Sequence, residues 1–145
     1  MNTDNLVELR KYLGITQVEM SEFLNVSRPT YTRYENGTII IPLVKLNLIS
    51  NKYNASLDYL TGLSRKNNTN FNHINDINKK IIGQRLNEVR IKNKFTQEEV
   101  AKRLNTVHSC ISDYENGKTM IPTIFLVGFA KITNTSLDYL CGKID

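Results

Sequence analysis

The sequence predicts an all-α fold built as two tandem five-helix units. Three observations lead there. Shifted by eighty residues, the sequence matches itself without gaps: Thr16 and Gln17 fall on Thr96 and Gln97, Ile41 and Pro42 on Ile121 and Pro122, and SLDYL at 56–60 on SLDYL at 136–140. About 22 of 63 aligned pairs are identical, which marks an internal repeat. Apolar residues recur at spacings of three and four, the helical period, and no window alternates as a half-buried strand does.

The first unit is expected at residues 1–63. Leu6, Leu9 and Leu13 line one face of a first helix that ends at Gly14. Thr16 and Glu19 form the T-x-x-E pattern that caps a second helix. That helix would bury Met20, Phe23 and Leu24 and stop at Asn25, a residue tolerant of the left-handed conformation. A third helix runs from about Arg28 to Gly37, a fourth over 43–52, and SLDYL gives a short fifth with Ser56 as its cap. Residues 64–74 are polar and Asn-rich and read as a linker. The second unit then occupies 75–145. Its first helix is expected to be longer, with Asp76 as cap and Ile77, Ile81, Leu86 and Val89 near helical spacing, although Gly83 interrupts it.

Bulk composition narrows the function classes. The chain is 40% hydrophobic and 23% charged, with a net charge of +5. The excess is uneven: residues 1–63 hold six basic and six acidic side chains, 64–82 four and one, and 83–145 nine and seven. A positive balance suits a polyanion partner. No apolar run is long enough to span a bilayer, so no membrane association is expected, and the N-terminus has no secretory pattern. Cys110 and Cys141 form no CxxC pair, which points to reduced thiols in a cytoplasm. His73, His108 and the cysteines do not reach a four-ligand set. With no phosphate loop, nucleophile motif or paired carboxylates, no metal, cofactor, catalytic residue or enzymatic activity is expected.

The third helix carries the functional signal. At 100° per residue, Tyr31 and Tyr34 fall on one side, and Arg28, Pro29, Thr32 and Arg33 roughly opposite. The tyrosines can pack on the second helix, leaving two guanidiniums and a hydroxyl outward. A helix presented across a three-residue turn is the geometry that enters a DNA major groove, where an arginine fork can donate twice to guanine. Pro29 biases Arg28 away from helical angles and shifts the expected helix start one residue later.

Each unit resembles the phage Cro/repressor-type (XRE-like, lambda-repressor-like) helix-turn-helix family. The likeness rests on LR…GITQVEMSEFLNVSRPTYTRYENG…IP…NASLDYLTG and, in the second copy, on VR…KFTQEEVAKRLNTVHSCISDYENGKTMIP…TNTSLDYLCG. It implies sequence-specific binding of double-stranded DNA and transcriptional control, mostly repression. By that resemblance Gln17 and Gln97 would donate to phosphates, and Asn36, Thr38, Asn116 and Lys118 would contact the DNA backbone. Ser27, Arg28, Pro29, Thr32 and Arg33 would present the reading surface over 28–36. In the second copy, over 108–116, His108, Ser109, Ser112 and Asp113 hold the outward positions. The family's internal ion pair maps onto Arg10 with Glu35 and Arg90 with Glu115.

YENG recurs at 34–37 and 114–117 while the letters before it change. Scaffold is thus kept and reading surface altered, and Val107 stands in place of the capping Ser27. Two arrangements stay open: the units act together as an intramolecular pseudo-dimer or through a homodimer, or the second unit self-associates or binds a protein partner, as in an antitoxin or protein-interaction modulator.

Overall fold

A computed structural model describes all 145 residues as helices joined by turns and loops, with no strand. It divides into two compact units, Met1–Asn75 and Asp76–Asp145. The first contains α1 (Asp4–Tyr12), α2 (Gln17–Leu24), α3 (Arg28–Asn36), α4 (Leu43–Tyr53) and α5 (Leu57–Leu60). The second contains α6 (Lys79–Lys92), α7 (Gln97–Arg103), α8 (His108–Glu115), α9 (Thr123–Thr133) and α10 (Leu137–Leu140). No helix is long and apolar enough to cross a membrane.

In the first unit Leu6, Met20, Leu24, Tyr31, Leu46 and Leu57 are fully buried. Side chains from all five helices therefore share one core. Phe23 is only half-buried, its ring edge-on to Tyr53 and capped by the Lys52 ammonium. Leu13, expected on the core face of α1, is 41% exposed. It follows the last helical residue, and the chain has begun to turn toward Gly14, whose φ is +69°.

The helix starts follow local chemistry. Thr16 accepts from the Glu19 N–H, and Thr96 does the same for Glu99, where the reciprocal bond completes a full capping box. Ser56 and Ser136 cap the short α5 and α10. The start of α6 differs from expectation. Its cap is Asn78, whose side chain accepts from the Lys80 and Ile81 N–H groups, and not Asp76. Ile77 consequently precedes the helix, and Ile81 is exposed. The buried stripe of α6 is Ile82, Leu86 and Val89, with Gly83 beside it.

Residues 64–74, expected as a polar linker, form no helix but are bonded to the first unit. Asn67 accepts from the Ser56 N–H and donates to the Asn54 carbonyl, and the Ile74 carbonyl accepts from Asn47 and Asn51. One of the asparagines that made this stretch look solvated, Asn67, serves as a fastening.

Gly83 explains itself through packing. A Cβ there would lie 2.5 Å from the Tyr114 carbonyl oxygen and 2.6 Å from that of Glu115, so α6 meets the end of α8 backbone to backbone. The equivalent residue in the first unit, Thr3, precedes α1 and donates its hydroxyl to the Glu35 carbonyl at 2.6 Å. Gly83→Ala should therefore destabilise the second unit by about 2–3 kcal/mol, opposite to the gain of about 1 kcal/mol that helix propensity alone would give. Urea unfolding of both chains measures the sign.

Lys143, at the place of Leu63, is fully buried. Burial pushes its ammonium down to about 8 from 10.5, against the opposing pull of Asp138 and Cys141. Between these two values the unfolded chain holds the extra proton, so stability rises as pH rises from 8 to 10.5. Denaturation across that range should show a gain on the order of 1–3 kcal/mol that Lys143→Leu lacks.

Candidate nucleic-acid interface

The interface is built on the turn joining α2 to α3. Asn25 adopts φ +56°, ψ +45°, and the Val26 N–H returns to the Ser21 carbonyl at 3.0 Å. Ser27 then caps α3, accepting from the Thr30 N–H. In the second unit Asn105 takes the same left-handed conformation at φ +59°, and the Thr106 N–H returns to Ala101. Val107 caps nothing. Helix α3 begins at Arg28 despite Pro29, and α8 at the equivalent His108. The expected delay is absent because first-turn residues need no intrahelical N–H partner, so proline is accommodated there.

The two sides of α3 separate cleanly. Tyr31 is 0% and Tyr34 6% exposed, while Arg28, Pro29 and Arg33 stand in solvent. Thr32 is half-buried because its hydroxyl donates to Gln17 Oε1 at 3.0 Å. On α8, Ile111 and Tyr114 are buried, His108 and Ser109 exposed, and Ser112 and Asp113 half-buried. Ile111 is smaller than the Tyr31 it replaces, and a small apolar cavity lies beside it among Leu86, Val100 and Leu104.

A buried ion pair fixes each of these helices. Arg10 Nε meets Glu35 Oε2 at 2.6 Å, Nη2 meets Oε1 at 3.0 Å, and Nη1 donates to the Ile15 carbonyl at 2.9 Å. Gln17 Nε2 adds a bond to Glu35 Oε1 at 3.1 Å. Burial opposes ionisation of Glu35, yet hydrogen bonds from Arg10 and its neighbours prevail and hold the carboxyl below its usual range. The Tyr31 hydroxyl is buried beside the pair without a hydrogen bond of regular geometry, and burial pushes it far up. The second copy repeats the pattern with Arg90, Phe95, Gln97 and Glu115. There Asn87 donates to Glu115 Oε1 at 2.7 Å as an additional partner, and Glu115 too lies below the usual range.

The remaining predicted positions gather around these helices. Asn36 Oδ1 accepts from the Thr38 N–H and hydroxyl, ordering the exposed turn at Gly37 (φ +79°). Asn116 donates to Ser112 Oγ at 3.3 Å, and Lys118 is exposed just beyond. Gln17 and Gln97 are half-buried. Each amide carries two N–H groups, one of them used on its glutamate. Sequence reasoning treated Gln17 and Thr32 separately and missed their bond; the fifteen-residue separation gave no signal. No group of three or more potential metal ligands is gathered anywhere in the chain.

A family model described as helix-turn-helix matches residues 6–60, and another, described as a helix-turn-helix domain, matches 83–141. Each half of the chain is a helix-turn-helix domain. The two domains lie in tandem. The chain is 39% identical over 62 residues to the HTH-type transcriptional regulator ImmR of Bacillus subtilis (strain 168), covering 43% of this chain and 49% of that protein. It is 42% identical over 60 residues to the uncharacterized HTH-type transcriptional regulator YqaE of the same strain, covering 41% and 52%. It is also 34% identical over 58 residues to the antitoxin PezA of Streptococcus pneumoniae, covering 40% and 37%. The chain thus spans about half the length of the first two relatives and less of the third.

Within each helix-turn-helix domain the ion pair joins the first helix to the third. Glu35→Ala would leave the Arg10 guanidinium, 11% exposed, without its carboxylate and Gln17 without its acceptor. The first domain should lose about 2–4 kcal/mol, readable as an early transition in thermal unfolding, while the second keeps its own.

Proposed function

We propose that this chain is a sequence-specific DNA-binding transcriptional regulator that acts by repression, with α3 as its principal reading helix. The carrying observation is the orientation of α3: tyrosines inward, Arg28 and Arg33 outward in solvent. An arginine fork discriminates guanine by a bidentate bond in the major groove. Gln17 at the start of α2, and Asn36 and Thr38 at the turn after α3, would hold phosphates and set register. Two relatives bear the name of transcriptional regulators, which favours this reading over an enzyme.

The second domain contributes a different surface. Arg28 and Arg33 are replaced there by His108 and Asp113, so its outward positions offer a weaker grip on a polyanion. Ser109, Ser112 and Asp113 can still read base edges, Asp113 by accepting from cytosine. In a pseudo-dimer the two faces would then select an imperfectly palindromic site. A second reading, in which this domain self-associates or binds a protein partner, is favoured by the same replacements and by the likeness to an antitoxin.

Selection of duplexes from a random pool, followed by gel-shift titration, tests the regulator reading. Wild type should show salt-sensitive binding with a sequence preference; a chain that binds no duplex above background defeats it. On the selected duplex, Arg33→Ala should lose about 1–3 kcal/mol and relax preference at one base pair. Asp113→Ala should have a smaller or opposite effect, and equal, sequence-independent losses would show the reading faces to be misassigned.

A further inference from the structure

From the extra turn of α6 we infer a phosphate clamp in the second domain, formed by Lys79 and Lys80 together with Lys118. This rests on the DNA-binding reading above. Helix α6 starts at Lys79, whereas α1 starts at Asp4, the counterpart of Gln84. The additional residues reach the turn that follows α8. Lys79 Nζ donates to the Lys118 carbonyl at 3.1 Å. Lys80 lies over Gly117: a Cβ on that glycine would sit 3.0 Å from Lys80 Cγ and 3.1 Å from its Cα. Gly117 is accordingly buried, while its counterpart Gly37 is exposed with nothing within 4 Å of the same position. All three lysines are themselves exposed.

Helix stability does not account for this cluster. Two cations in the first turn of a helix oppose its macrodipole, and Asn78 already caps that turn. Nearby carboxylates do not cancel it. Glu115 is bonded to Arg90, and the other carboxylates near in sequence to the three lysines, Asp76 and Asp113, are fewer than the ammoniums. The cluster adjoins Asn116, at the end of α8, where the phosphate contacts of this domain are proposed. Flexible ammonium groups suit a phosphate backbone, which needs charge rather than a fixed fork. In the first domain Thr38 replaces Lys118. The clamp therefore gives grip, without base discrimination, to the domain that lacks outward arginines.

The test uses the full chain with Lys79→Gln and Lys80→Gln together, titrated by fluorescence anisotropy against the selected duplex and a scrambled one at several salt concentrations. Binding should weaken severalfold and equally on both duplexes. The slope of log affinity against log salt should become shallower by about 1–2. Lys79→Arg with Lys80→Arg should restore it, and an unchanged thermal midpoint separates the effect from unfolding. If wild type binds and the glutamine pair leaves the slope unchanged, or weakens only the selected duplex, the clamp is overturned while the regulator reading stands. If wild type binds neither duplex, both fall.

Discussion

The orientation of each third helix depends on one buried ion pair. Arg10 and Glu35 bond through two nearly parallel contacts, and the arginine also holds the backbone at Ile15. Because a residue advances about 100° around a helix, a glutamate turned inward obliges the residue two positions earlier to point away, about 200° round. That residue is Arg33 in the first domain and Asp113 in the second. The pair thus specifies the rotation of the helix more than it adds stability, since desolvation offsets much of the attraction between its charges. Both copies keep the contact at 2.6 Å.

Around this constraint the two domains solve the same problems with different chemistry. Asn5 donates to the carbonyls of Tyr59 and Ser64. Arg85 serves the equivalent carbonyls of Tyr139 and Ile144, and its guanidinium also lies over the Tyr139 ring. Thr3 reaches the end of α3 with a hydroxyl, whereas Gly83 reaches the end of α8 by having no side chain. Tyr31 fills its core position with a ring and Ile111 does so incompletely. Internal contacts drifted as backbone-compatible exchanges, while the outward positions changed charge. A face that makes few contacts of its own can be rewritten at little cost to folding.

Much of this was legible because it is local. The repeat, the helical spacing, the Thr16 and Thr96 caps and the left-handed Asn25 each depend on residues a few positions apart. The inward tyrosines and outward arginines followed from the helical period alone. What was missed is relational. Whether Asp76 or Asn78 caps α6 depends on where packing with α8 lets that helix begin. The burial of Lys143 depends on how the chain end folds back, and the Gln17–Thr32 bond on the angle between two helices. Asn67 reads as solvent-seeking because composition does not reveal that the Ser56 N–H and the Asn54 carbonyl stand nearby to receive it.

The uncapped start of α8 has a dynamic consequence. With valine at position 107, no side chain gathers the amide hydrogens of the first turn; the Cys110 and Ile111 N–H groups share the Val107 carbonyl, the latter at 3.4 Å. Such a turn costs less free energy to open than a capped one. His108 and Ser109 therefore sit on a first turn held by fewer bonds than that of α3, and any contact that fixed it would give up part of its affinity to ordering. In α3 the Ser27 cap has already met that entropy. One domain offers a preformed surface, the other a pliable one.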